Sequence, residues 1–207
     1  MEQGNTKQEI LKAALDLFSV QGYEATSISQ IADVVGIRKA TMYSHFASKQ
    51  EILDALVQNT MEQYNKHSIF AQANWNDSAF IKDKQNITVE AALKIILGHI
   101  RYILHDPQIS KSRRMLTIEQ FQNPALKALQ TKQNYADVMD YFTGLMNFLI
   151  RQRRIKDNDP KIMAAQLCLP ISAWINLCDR EPERENEVMD LIERHIRQFF
   201  KIYEREK

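Results

Sequence analysis

At 207 residues the chain is long enough for one or two domains, each with a buried core. Twenty-seven Lys and Arg against 26 Asp and Glu leave a net charge of +1, and 44% hydrophobic with 26% charged residues excludes a disordered, collagenous or low-complexity chain. Five glycines and five prolines make about 5% of the chain where roughly 12% is usual, so breakers are scarce and an all-α fold of long helices is expected.

The polar start, Met1 to Thr6, lacks the pattern of a signal peptide, and a cytoplasmic location is expected. Thr6 to Glu9 reads as a capping box ahead of an apolar stripe of Ile10, Leu11, Ala14, Leu15 and Phe18, with Gly22 suited to the left-handed end of that helix. Ser27 to Gln30 is a second box; Ile28, Ile31, Ala32 and Val35 follow at helical spacing, and Gly36 closes the helix. A third short helix runs near 39–45. Ser48 to Glu51 opens a fourth that points Ile52, Leu53, Leu56 and Val57 inward. The polar, weakly periodic stretch 68–85, which includes the large apolar residues Trp75 and Phe80, reads as a domain linker.

Further helices are expected over about 88–104 and 110–122. A long one follows Asn123 and Pro124, and two more begin near Pro160 and Pro182, for about nine in all. No uninterrupted apolar run reaches the length of a membrane span, so no membrane partner is expected. Cys168 and Cys178 share the eighth helix, about 15 Å apart along its axis, and so are expected to be buried thiols and not a disulfide. No metal-ligand spacing, phosphate-cradling glycine loop or nucleophile elbow is present; no cofactor and no enzyme activity is expected.

The two short helices within 27–46 cannot stand alone, and a helix-turn-helix packed by its neighbours uses them. The second helix of such a pair offers its first residues, here Arg38, Lys39, Ala40 and Thr41, to a DNA major groove. Arg or Lys pairs with guanine, and a Thr methyl with a thymine methyl. Tyr43, His45 and Lys49 follow within reach of phosphates, and the helix starts at Ser27 and Ser48 offer N–H groups to phosphate oxygens. Against this, a helix–glycine–helix corner is more often an ordinary bundle turn. Residues 1–66 also hold six Lys and Arg against eight Asp and Glu, a net of −2, whereas DNA-binding modules are usually basic.

The run from Tyr23 to Leu53, with Gly22, Thr26, Ile31, Ala32, Gly36, Tyr43, Phe46, Lys49 and Leu53 in register, resembles the N-terminal domain of the TetR family of transcriptional regulators. The resemblance covers about residues 6–64. It implies a homodimeric, all-helical repressor with a DNA-binding domain over 1–66 and a ligand-binding and dimerisation domain over 67–207. By position it assigns Thr41, Tyr43, His45, Lys49 and the Thr26–Ser27 cap to DNA-backbone contacts and 38–42 to base reading, with Met42 and Phe46 in the core. Arg38 departs from the small polar residue frequent in the family, and arginine cannot cap a helix as serine does.

In the remainder, Tyr102, Met115, Phe121, Tyr135, Met139, Phe142, Met146 and Trp174 are candidate pocket residues for an apolar or amphipathic effector, although such stripes at helical spacing are usually core. The eighth and ninth helices carry so much apolar surface that a two-fold four-helix interface is expected, through Met163, Leu167, Ile171, Trp174, Ile192, Ile196, Phe199 and Phe200. The functional expectation is a homodimer on a pseudo-palindromic double-stranded operator, released by a small molecule. An activator, an effector-independent DNA-binding protein and a helical interaction protein without a DNA role remain as alternatives.

Overall fold

The computed structural model describes residues 3–85 and 88–205. The elements are helices α1 (Gln3–Ala25), α2 (Ile28–Val35), α3 (Lys39–His45), α4 (Lys49–His67), α5 (Ser78–Lys84), α6 (Val89–His105), α7 (Pro107–Glu119), α8 (Pro124–Thr131), α9 (Asp137–Arg151), α10 (Pro160–Arg180) and α11 (Glu185–Tyr203). Among the described residues no strand forms; one isolated bridge joins Ile155 and Glu204. The fold is all-α, as the scarcity of breakers predicts.

Capping chemistry places most of the helix starts. Ser27 accepts from the Gln30 N–H while the Gln30 side chain accepts from the Ser27 N–H, completing the box at α2. Ser48, Thr88, Asn123 and Asp159 accept from the first backbone N–H groups of α4, α6, α8 and α10. Thr6 behaves differently. The first helix already runs from Gln3, so Thr6 lies inside it and caps nothing. Pro107 occupies the first position of α7, where its missing N–H costs nothing, so that helix begins three residues earlier than expected. The long helix expected after Pro124 is interrupted by a π-helical turn over Lys132–Ala136, and the expected linker contains α5.

The chain divides into two compact units. The first joins Met1–His67 to Pro107–Thr131; the second joins Ser68–Asp106 to Lys132–Lys207. The first unit thus takes in α7 and α8 beside the residues 1–66 expected from sequence. Met115, Leu116, Leu126 and Leu129 pack into the same core as Ile10, Ala14, Phe18, Ile31, Met42, Phe46 and Leu53. A Lys111–Asp16 ion pair ties α7 to α1 at the rim.

The second unit is built on α9 and α10, with α11 lying against α10 and α6. Its core draws Leu93 and Ile100 from α6, Phe142 and Met146 from α9, Met163 and Leu167 from α10, and Ile192 and Ile196 from α11. By length and composition α10 would pass for a membrane span, contrary to the expectation that no segment qualifies. Here its Met163, Ala164, Leu167, Cys168 and Ile171 face the core of a helical unit. Both cysteines are buried and outside any disulfide. Phe70 and Trp75 of the expected linker also pack on this core. Trp75 stacks against Tyr141 and Phe148, and its ring lies on the bare backbone of Gly144.

Candidate nucleic-acid interface

The N-terminal unit carries a helix-turn-helix formed by α2 and α3. Gly36 closes α2 at φ 76°, a left-handed conformation that costs glycine nothing, and its N–H returns to the Ala32 and Asp33 carbonyls. Two residues later Arg38 starts α3 in an extended conformation and makes no side-chain cap, in keeping with the expectation for arginine. Met42 and Phe46 are buried, 1% and 2% exposed, as core anchors one turn apart. Their burial turns the other face outward: Arg38, Lys39, Ala40, Thr41 and Tyr43 are all exposed, and His45 is half-buried.

Beside α3 the N-terminus of α2 opens a cleft of about 370 Å³ lined by Glu24, Ala25, Thr26, Ser27, Ile28, Lys39, Tyr43 and Lys49. Five of the nine expected DNA-contact residues (Thr26, Ser27, Lys39, Tyr43 and Lys49) thus meet in one hollow. Three of the five make hydrogen bonds within the protein, the Ser27 hydroxyl by accepting from the Gln30 N–H. Thr26 is only 1% exposed; its hydroxyl donates to the Gly22 carbonyl at 2.8 Å and accepts from Gln21 Nε2 at 2.9 Å. Its side chain is turned into the protein and shapes the turn. The Lys49 ammonium donates to the carbonyls of Tyr23 at 2.7 Å and Thr26 at 2.9 Å, and lies 4.0 Å above the centre of the Tyr23 ring. It staples the end of α1 to the start of α4. Burial, reinforced by Glu24, Asp54 and Glu119, holds the Tyr23 phenol above its usual pKa, so the ring stays neutral under the cation.

Sequence reasoning missed one residue of this region. Glu119, at the end of α7, is 5% exposed, and its Oε1 accepts the Tyr23 N–H at 2.7 Å. Spacing gives no signal for a contact across 96 positions; only the packing of α7 on α1 brings it there.

The expected pocket residues are divided between the two units. Met115 is in the core of the first unit and Phe121, in the same unit, is 85% exposed. In the second unit Met139, Phe142 and Met146 are core, Tyr102 and Tyr135 are about half exposed, and Trp174 stacks edgewise on His195. Matching helical period could not tell which unit each helix joins. The expected interface residues divide by their burial. Met163, Leu167, Ile171, Ile192, Ile196 and Phe199 are buried within their own unit, where α6 and α9 cover them; Trp174 and Phe200 are partly buried against that core. The apolar side chains that α10 and α11 leave outside are Ile162, Leu169 and Ile202.

Residues 10–56 match the family model described as "Bacterial regulatory proteins, tetR family". Over 47 residues the chain is 45% identical to the HTH-type transcriptional regulator TcmR of Streptomyces glaucescens, covering 23% of this chain and 21% of that one. Over 111 residues it is 30% identical to IcaR of Staphylococcus aureus, the HTH-type negative transcriptional regulator of the biofilm operon icaADBC, covering 51% of this chain and 54% of IcaR. The chain thus spans about a fifth and about half the lengths of these relatives. Among solved structures it is similar to SmeT, the repressor of the Stenotrophomonas maltophilia multidrug efflux pump SmeDEF. The TM-score is 0.63 at 17% identity, covering 97% of this chain and 91% of SmeT. A complex of SmeT with triclosan superposes with a TM-score of 0.61 at 19% identity, over 98% of this chain and 93% of that one. Residues 10–56 are thus similar to the tetR family of bacterial regulatory proteins, and the chain as a whole shares the fold of SmeT.

Proposed function

We propose that this protein is a sequence-specific DNA-binding transcriptional repressor that acts as a homodimer. The observation that carries the reading is the outward face of α3. Arg38, Lys39, Ala40, Thr41 and Tyr43 lie exposed beside the α2 N-terminus, within the segment that matches the family. Arg38 and Lys39 supply guanine or phosphate contacts, and Thr41 a thymine-methyl contact. Ser27, Tyr43 and His45 supply backbone contacts, together with the N–H groups at the start of α2. Two such faces enter successive major grooves ~34–36 Å apart on a pseudo-palindromic operator. Dimerisation through α10 and α11 is supported by the apolar side chains Ile162, Leu169 and Ile202 that these helices leave exposed.

Release by a small apolar or amphipathic molecule is the second part of the proposal, supported by the triclosan complex of SmeT. The effector acts only through a difference in affinity between the operator-binding and released states. Selection of bound sites from a random duplex pool tests the reading. A palindrome with half-sites one helical turn apart is expected; a pool that shows no enrichment refutes it.

A further inference from the structure

We propose that Glu119, a carboxylate of α7, is a positioning residue for the DNA-contact cleft, acting through the turn that joins α1 to α2. This rests on the DNA-binding reading above and adds a residue that lies outside the helix-turn-helix.

The turn has an unusual demand. Gly22 sits at φ 81°, ψ 169°, which breaks the helical path of α1 and turns the Tyr23 N–H away from the carbonyl of the preceding turn. A partly buried N–H without a helical partner needs another acceptor. Glu119 provides it at 2.7 Å, and the fit is close: a Cβ on Gly22 would stand 3.0 Å from the same carboxylate oxygen and 3.3 Å from Ile118 Cγ2. The next atoms along the chain are those that build the cleft. The carbonyl of Tyr23 accepts from Lys49, as does that of Thr26, while the Gly22 carbonyl accepts from the Thr26 hydroxyl. Ser27 follows directly as the cap of α2, and Ser27, Lys49 and Tyr43 line the cleft. One residue, Tyr23, therefore carries both the Glu119 contact and a contact of the Lys49 staple. Without the carboxylate the turn has no fixed anchor on the α7 side. The start of α2, where N–H groups face a phosphate, then loses its defined place relative to α3.

The experiment compares full-length wild type, Glu119→Gln and Glu119→Leu on the duplex selected by wild type, by fluorescence anisotropy over a salt series, with circular dichroism as the check of folding. Gln keeps an oxygen acceptor for Tyr23; Leu fills similar space without one. Leu is expected to bind about tenfold more weakly and to lose about one phosphate contact per head from the salt slope, while Gln stays within about twofold of wild type. A folded Leu variant with wild-type affinity and slope overturns the proposal, as does a Gln variant as weak as Leu. If Leu does not fold, amide exchange in wild type decides: a Tyr23 amide exchanging like an unprotected one overturns the link, and strong protection supports it. If wild type selects no duplex at all, the DNA-binding reading itself falls and takes this proposal with it. If wild type binds and Leu matches it, only the role of Glu119 falls.

Discussion

Lys39 and Lys49 both line the cleft beside α2, yet their neutralisation should have opposite signatures. Lys39 is exposed at the first position of α3, free to meet a phosphate. Each such contact releases counterion and adds about 0.9 to the steepness of log affinity against log salt. With one Lys39 in each head of a dimer, Lys39→Ala should flatten the slope by about 1.8. Its deficit against wild type then shrinks about twelvefold between 50 and 200 mM salt, since a fourfold salt change is raised to that power. Lys49 directs its ammonium at the carbonyls of Tyr23 and Thr26 and releases no counterion. Lys49→Ala should leave the slope unchanged and instead cost about 2 kcal/mol of stability, two charge-assisted bonds discounted for partial exposure. On a chain of this size that is roughly 4–8 °C in melting temperature. Lys39→Ala should leave the melting temperature alone. Anisotropy titrations at four or five salt concentrations, paired with thermal melts, separate the two outcomes. A Lys49→Ala variant that melts like wild type and flattens the slope as Lys39→Ala does would refute the assignment of Lys49 to a staple.

Three further outcomes follow from the second unit. Gly144→Ala would place a Cβ 2.2 Å from Trp75 Cδ1, so the indole must leave its seat against Tyr141 and Phe148. A net loss of about 1–3 kcal/mol is expected by denaturant melts, although helix propensity alone predicts a gain of about 1 kcal/mol; a stabilised variant would contradict the packing. His99 is held below its ordinary pKa of 6.5 by burial, so the unfolded chain takes the proton first on acidification. Its contribution is full above pH 6.5 and is lost as pH falls from there through the lowered folded value. His99→Phe should flatten the dependence of the urea midpoint between pH 7.5 and 5.5, and an unchanged dependence would argue against it. Burial pushes the Cys168 thiol up to about 11, leaving about a thousandth as thiolate at pH 8. A thiol reagent should modify it only in denaturant, and rapid labelling of the native protein would show the site to be open.

What the sequence determined by itself was local. The box from Ser27 to Gln30, the glycine at 36, the proline starts at 124 and 160 and the buried pair Met42 and Phe46 all follow from contacts within a few residues, where backbone geometry fixes which groups meet. The two short helices were legible for that reason, and the resemblance of residues 23–53 supplied their reading as a helix-turn-helix. Tertiary structure alone decided the rest. Period-3.6 stripes show that a helix has an apolar face but not which core receives it, so α7 and α8 joined the N-terminal unit unannounced. Met163 and Ile192, apolar on helices rich in apolar surface, lie in the core of their own unit. The same limit hid the Tyr23–Glu119 contact and the engagement of Lys49. A hydrogen bond between residues 96 apart exists only once two helices have packed, and no pattern along the chain encodes that distance.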